Sequence, residues 1–134
     1  MTYKFRLFAA LAAMLLLAFA LSAQNPAPTD SRATAINGLR LLNTAQMMFH
    51  AQHARFASLA DLPALLDATK PSYRASMPHF DPAAGKDALA GFELAIVPND
   101  NGYTLTLKET KPCGAFAYSD QVGVICVGKG LGCD

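Results

Sequence analysis

The longest periodic pattern in the chain runs from Ala33 to Arg55. Apolar residues recur there at spacings of three, four or seven, which places them along one stripe of a helix. Ala, Leu, Met and Gln favour the helical conformation, and Gly38 is the one weak point. We therefore predict a long amphipathic helix that lies on another apolar element. Its stripe consists of Ile36, Leu39, Leu42, Ala45, Phe49 and Phe56.

The chain becomes irregular after this helix. A turn around residues 58–63 leads into a short second helix that ends near Ala68. Between residues 70 and 91 the sequence then holds three prolines and two glycines, which disfavour regular structure. We predict a long irregular connection here, of the kind that is either functional or mobile.

The rest of the chain predicts two β-hairpins. The stretch 103–108 alternates apolar and polar residues, as a strand with one buried face does. Asn101-Gly102 precedes it and can supply the positive φ angles of a tight hairpin turn. The four predicted strands are Phe92–Val97, Tyr103–Lys108, Ala115–Tyr118 and Val122–Val127, with Ser119-Asp120-Gln121 as the second turn.

These elements together predict an α+β fold, with the long N-terminal helix packed on a four-stranded antiparallel sheet. Burial of each large apolar side chain stabilises a fold by about 1.5–3 kcal/mol, so a core of this size is adequate. The predicted core consists of Ile36, Leu39, Leu42, Phe49, Leu62, Leu66, Leu94, Leu105, Leu107, Phe116, Val124 and Ile125.

The first residues have the three parts of a secretory signal peptide. Lys4 and Arg6 precede an apolar run from Leu7 to Leu21, and small residues follow up to Ala23. The run has about 15 residues, fewer than the roughly 20 that a membrane-spanning helix needs. We predict a signal peptide over residues 1–23, a linker over 24–32 and a domain over 33–134, in a periplasmic or secreted protein. An uncleaved membrane anchor is the alternative.

Composition adds little to this picture. The 134 residues are within the usual size of one domain, and the formal net charge of +1 gives no long-range attraction for nucleic acid. There is no run of Lys and Arg, and Trp is absent. Nucleic-acid binding therefore has little support.

Three cysteines lie near the C-terminus. An oxidising compartment favours one disulfide and one remaining thiol, and three pairings are possible. We favour Cys113 with Cys133, which would close a loop of about 20 residues and stabilise the fold by roughly 3 kcal/mol. Cys126 is then free, or it is the alternative partner; in an apolar strand we expect its thiol to be buried and inert.

Three stretches resemble pilin-like proteins. Residues 35–46 resemble the helix start A-I-x-x-L-R-x-I-N-T-A that is common in pilin-like proteins of soil bacteria. Residues 55–62 resemble the helix exit G-x-Y-x-S-L-x-x-L, and residues 116–125 resemble the late hairpin F-F-x-D-x-x-G-V-I. The chain is thus similar, over most of residues 33–127, to the globular part of type IV pilins and of type II secretion pseudopilins.

The resemblance implies a non-enzymatic protein that acts by protein–protein contact in or near a pilus or secretion system. One departure is that the pilin peptidase motif is missing, and Pro26 and Pro28 separate the apolar segment from the helix. We expect contact surfaces at residues 70–91 and at the cysteine-bounded C-terminal loop. No catalytic residues and no cofactor are expected.

A Met/His group on the long helix supports an alternative function, which is periplasmic copper binding. Thioethers and imidazoles are ligands that suit copper, and His50 and His53 are three residues apart on one side of a helix. The competing interpretation is that the methionines fill core space and the histidines are ordinary surface residues. The candidate ligands are Met47, Met48, His50 and His53.

Overall fold

The computed structural model describes residues 30–129. The predicted signal peptide and the linker as far as residue 29 lie outside this range. Within it, no helix combines the length and apolar character that crossing a bilayer requires. The long helix, α1, spans Ser31–His53, so it begins two residues before the predicted start, within the predicted linker. Asp30 sets this start because its carboxylate accepts a hydrogen bond from the Arg32 amide at 3.0 Å.

A short, well-bonded turn follows α1. Ala54 adopts the left-handed conformation and its amide bonds back to the His50 carbonyl at 2.8 Å. A 3₁₀ turn at Leu59–Asp61 leads into α2 at Leu62–Asp67, which confirms the predicted short helix. Asp61 accepts two hydrogen bonds from the Arg55 guanidinium, at 2.8 and 2.9 Å. These bonds, and one from the Ser58 amide, hold the pKa of the Asp61 carboxyl well below its usual range.

The connection between residues 70 and 91 is more ordered than the sequence predicted. It contains a short helix, α3, at Pro71–Arg74 and a 3₁₀ turn at Gly85–Asp87. Phe80 and Leu89 form an antiparallel bridge, and both side chains are buried. The segment therefore closes part of the core instead of crossing the surface as a loop.

Four antiparallel strands in the order β1-β2-β3-β4 form the sheet. Leu94 pairs with Leu107 across β1 and β2, and Leu105 pairs with Ser119 across β2 and β3. The predicted α+β architecture, with a helix on a four-stranded antiparallel sheet, is confirmed. The strands span Phe92–Asn99, Gly102–Glu109, Ala115–Asp120 and Ile125–Lys129.

The turn between β1 and β2 differs from the predicted one. Asp100 and Asn101 form the two-residue loop, and neither has a positive φ angle. The Asn99 side chain stabilises the loop by accepting the Asn101 amide at 2.9 Å. Gly102 belongs to β2, where an added Cβ would lie 2.5 Å from the Gln121 side chain. Gly102 therefore packs beside the Gln121 side chain and does not serve as a left-handed turn residue.

The core lies between α1, the inner face of the sheet and the segment that follows α1. Eight of the predicted core residues are buried, and Ile36 and Ile125 are half-buried. Phe116 and Val124 are exposed, so their prediction was wrong. The eight buried residues are Leu39, Leu42, Phe49, Leu62, Leu66, Leu94, Leu105 and Leu107.

The error at Phe116 has a physical cause. Helix α1 makes its most extensive contact with β3, and the side chains that this strand turns towards the helix are small. Ala117 and Ser119 are fully buried there. Since successive side chains of a strand point to opposite faces, Phe116 and Tyr118 lie on the outer face. Small residues on the inner face leave room for a helix to approach the backbone closely.

Candidate interaction surface

The loop between β3 and β4, residues 121–124, carries the most exposed large apolar side chains of the described residues. We call it the apolar loop. Val122 is 72% exposed and Val124 is 61% exposed. The sequence placed both valines in a strand, but β4 begins only at Ile125. Both valines belong to one loop, and their burial by a partner would be favourable because it removes apolar surface from water.

Local hydrogen bonds fix the shape of the apolar loop. The Asp120 carboxylate accepts the Val122 amide at 2.9 Å, and the Asp120 carbonyl accepts the Gly123 amide at 2.9 Å. Gly123 has a φ of 81°, a left-handed conformation that glycine adopts without steric cost. These bonds restrain the loop in a conformation that leaves both valines exposed.

A buried polar network connects the apolar loop to the rest of the domain. Ser119 Oγ donates to the Val124 carbonyl at 3.0 Å and accepts from Asn43 Nδ2 at 2.8 Å. Tyr103 Oη in turn donates to Asn43 Oδ1 at 3.1 Å. One chain of hydrogen bonds therefore joins α1, β2, β3 and the loop. Burial, together with the nearby Asp120 carboxylate, raises the pKa of Tyr103 to about 12.

A shallow hollow of about 530 Å³ lies beside the apolar loop. Gly123 and the half-buried Ile125 form one wall, and Ile36 and Tyr73 contribute apolar surface on the other side. Tyr73 is held in place by a 3.3 Å hydrogen bond between its hydroxyl and that of Thr44. The protruding loop and the hollow together offer a partner both a projection and a concave surface.

The outer face of the sheet is a second open surface. Tyr118 and Cys126 pair directly across β3 and β4, and Val97 is 57% exposed on β1. The face of an antiparallel sheet that is in contact with water usually carries polar residues. Cys126 is exposed, so the expectation that its thiol is buried was wrong, and whether the thiol is inert stays a prediction. The cause is register, because Ile125 and Val127 occupy the inner face and Cys126 must then face outwards.

The Met/His group is not gathered into one cluster. Met47 is exposed, and Met48 and His50, two residues apart, point about 160° apart around a helix. The His50 ring stacks on Phe56 with centroids 4.4 Å apart, and the His53 ring lies 4.2 Å from Phe49. The imidazoles therefore pack against aromatic rings at the end of α1.

Metal ligation at this helix end stays a prediction. Among residues 30–129, no three His, Cys, Asp or Glu side chains are close enough to share a metal ion. The copper hypothesis also relies on methionine sulfur, and no observation made on the described residues favours it.

The sequence analysis expected contact surfaces at residues 70–91 and at the cysteine-bounded C-terminal loop. The structure describes the first in full and the second in part. Residues 70–91 form a wall of the core, and only their outer side is available for contact. Of the cysteine-bounded loop, the part up to Lys129 is described. Cys133 lies outside the described residues, so its pairing with Cys113 stays a prediction. Cys113 itself has a φ of 54°, a left-handed conformation that is uncommon for residues other than glycine.

Comparison of the sequence with protein-family models, with curated proteins and with solved structures gave no match. The interpretation of the surface therefore depends on its own geometry and chemistry.

Two polar residues that join the elements of the domain were missed by the sequence analysis. Asn43 joins the helix to the sheet, and the fully buried Gln46 exchanges two 2.9 Å hydrogen bonds with the backbone of Ala57. A signal was present for Gln46, because it lies within the apolar stripe, between Leu42 and Phe49. A polar residue in such a stripe indicates a buried hydrogen-bond partner.

Proposed function

We propose that this chain is an exported, non-enzymatic protein with a pilin-like fold, which acts by protein–protein contact in or near a type IV pilus or a type II secretion system. In this proposal the long helix is the N-terminal element of the mature protein, and the signal peptide directs the domain to the periplasm or the exterior. The apolar loop is the observation that carries the proposal, since it holds Val122 and Val124 in water in one fixed conformation.

The contacts between the three pilin-like stretches support the resemblance. The first stretch, residues 35–46, bonds to the second, residues 55–62, through Gln46 and Ala57. It also bonds to the third, residues 116–125, through Asn43 and Ser119. Of these residues Asn43 is a position of the pilin-like pattern, and its bond to Ser119 holds the helix start against the late hairpin.

Affinity capture from the native periplasm tests the proposal. Wild-type protein is compared with a double variant, Val122→Ser with Val124→Ser, and with Val97→Ser as the matched control. Val97, which is 57% exposed, is a valine on the outer face of the sheet. We expect wild type and control to retain a pilus or secretion component, and the double variant to lose about tenfold in yield, which corresponds to about 1.4 kcal/mol.

Two results would overturn the proposal. One is equal capture by all three proteins, which would remove the apolar loop from the contact. The other is normal pilus assembly and normal secretion in cells that lack the protein. Circular dichroism of each variant checks that the fold is retained.

A further inference from the structure

The hollow beside the apolar loop has a charged residue on its wall. Arg40, an exposed residue of α1, lines it together with Asn43 and Thr44. The Arg40 guanidinium donates a hydrogen bond to Asn37 Oδ1 at 3.2 Å, and it forms no ion pair within residues 30–129. The bond to a neutral amide leaves the positive charge of the guanidinium without a counter-ion in the described part of the chain.

The carboxylates of the elements around Arg40 have other partners. Helix α1 itself holds no Asp or Glu. On the segment that contributes the far wall, Asp67 pairs with Arg74 at 3.2 Å. Asp120, at the base of the apolar loop, accepts the Val122 amide at 2.9 Å and does not pair with Arg40. The lining of the hollow thus carries a net positive charge from Arg40, which attracts an anion.

Apolar surface lies next to this charge. Ile36, Tyr73 and Ile125 line the hollow, and each is half-buried, so part of each side chain remains in contact with water. Coverage of these side chains by an apolar group is favourable, because it removes apolar area from water on both sides of the contact. A cation beside such a surface favours a ligand that carries an apolar side chain and a carboxylate on the same segment.

The number of charges in the hollow distinguishes this ligand from a nucleic acid. Binding to a nucleic-acid backbone depends on several phosphate contacts from Lys and Arg. Among the described residues that line the hollow, Arg40 alone is charged, so a single carboxylate is sufficient to neutralise it. An arginine can bind a carboxylate through two parallel N–H···O bonds, which also fix the orientation of the bound segment.

We propose that the hollow binds a short acidic segment of the partner protein. One large apolar side chain of that segment lies against Ile36, Tyr73 and Ile125, and a neighbouring carboxylate pairs with Arg40. This inference rests on the proposed function, since it names the partner chemistry at the surface to which the apolar loop belongs. Exposed ion pairs contribute little to affinity, so Arg40 selects an acidic segment while the apolar contacts supply most of the binding free energy.

Selection from a displayed library of random heptapeptides tests this assignment. Immobilised wild-type protein is compared with Arg40→Gln, and with Arg32→Gln as the matched control, because Arg32 is an exposed arginine of the same helix that does not line the hollow. On wild type and control, we expect Asp or Glu close to a large apolar residue to be enriched about threefold in each round. Arg40→Gln should lose this acidic enrichment and keep the apolar one.

Three results would contradict the assignment. The first is a selection on wild type that enriches no peptide above the uncoated support. The second is an enrichment of apolar peptides without an excess of Asp and Glu. The third is an acidic excess that is the same on Arg40→Gln, since the carboxylate would then bind elsewhere. Circular dichroism checks that both arginine variants retain the fold.

The selection and the capture experiment can fail separately. If capture depends on Val122 and Val124 but the selected peptides show no acidic preference, the proposed function stands and the role of Arg40 is removed. If acidic peptides are selected through Arg40 but no pilus or secretion component is captured, the role in a pilus or secretion system is removed and the ligand chemistry of the hollow stands.

Discussion

At the scale of single residues, the fold depends on a few polar side chains inside an apolar interior. Gln46 is the clearest case, because its amide is fully buried and satisfies both backbone groups of Ala57. It fixes the point at which the chain turns back from α1 towards α2. Each buried backbone group left without a partner costs about 1–3 kcal/mol.

We therefore predict that Gln46→Ala lowers the free energy of unfolding by about 3 kcal/mol, since two buried groups lose their partner. Urea denaturation followed by circular dichroism measures this change. Gln52→Ala on the exposed side of the same helix is the control, with an expected change within about 0.5 kcal/mol. Equal shifts of the two midpoints would contradict the role given to Gln46.

The Tyr103 hydroxyl gives a prediction for alkaline pH. Its pKa is raised from 10.0 to about 12, so the folded state favours the neutral phenol. The stabilisation is fully present below the ordinary pKa and is lost as the pH rises through the folded-state pKa. We predict that the urea concentration at the midpoint of unfolding falls between pH 10 and pH 12, and that it falls more steeply for wild type than for Tyr103→Phe. Parallel profiles for the two proteins would remove this residue as the cause.

At the scale of elements, one glycine determines how closely α1 approaches the sheet. The sequence marked Gly38 as a weak point of the helix, but the structure gives it a packing role. A Cβ at this position would lie 3.0 Å from Leu107 Cδ1 and 3.3 Å from Phe80. The helix loses propensity here and gains close contact with β2 and with the segment that contains Phe80.

We predict that Gly38→Leu destabilises the fold by about 2 kcal/mol, although leucine favours helices, because overpacking a filled site is costly. Ala51→Leu on the exposed side of α1 is the matched control, and its stability should be equal to or slightly above that of wild type. Thermal unfolding measures both variants. A stabilised Gly38→Leu protein would show that the helix can move away from the sheet without cost.

The sequence predicted the elements better than it predicted their faces. Apolar residues recur with a period of about 3.6 in α1 and of 2 in β2. These periods identified the two elements, because an element with one buried side places its apolar residues on that side. The same reasoning failed at β3, where the large Phe116 was assigned to the core and the small Ala117 and Ser119 gave no hydrophobic signal. Which face of a strand is inside depends on the distance to the helix, and single-residue hydrophobicity contains no information about that distance.

Turns were predicted less well for a related reason. Asn101-Gly102 has the composition of a tight turn with positive φ angles, but Gly102 lies in β2 and packs beside Gln121 from the other hairpin. That contact joins residues far apart in sequence. The apolar loop was predicted as a strand because Val122 and Val124 have high strand propensity. In the structure the Val122 amide bonds to the Asp120 carboxylate and the Val124 carbonyl accepts from Ser119, so both valines lie outside β4.

At the scale of the whole molecule, the domain has one covered and one open side. Helix α1 packs on the inner face of the sheet, and Val97, Phe116 and Cys126 are exposed on the outer face. The exposed outer face holds the thiol of Cys126. This openness can be measured directly by the reactivity of that thiol.

We predict that iodoacetamide modifies Cys126 in the folded protein at a rate within about tenfold of that in urea, because thiol reactivity follows exposure. Peptide mapping by mass spectrometry locates the label, and Cys126→Ser is the control for specificity. Protection by several orders of magnitude in the folded protein would mean that the outer face is covered.

The small inner face of β3 has a consequence for evolution. Exchange of Ala117 or Ser119 for a bulky residue would push α1 away, so substitutions there should be eliminated as lineages diverge. Phe116 and Tyr118, on the opposite side of the same strand, are free to change whenever a new partner is acquired. Distant relatives should therefore be sought by small residues at the alternate, inward-facing positions of β3. Overall sequence identity is a poorer guide, because the outward-facing positions of the strand change fastest.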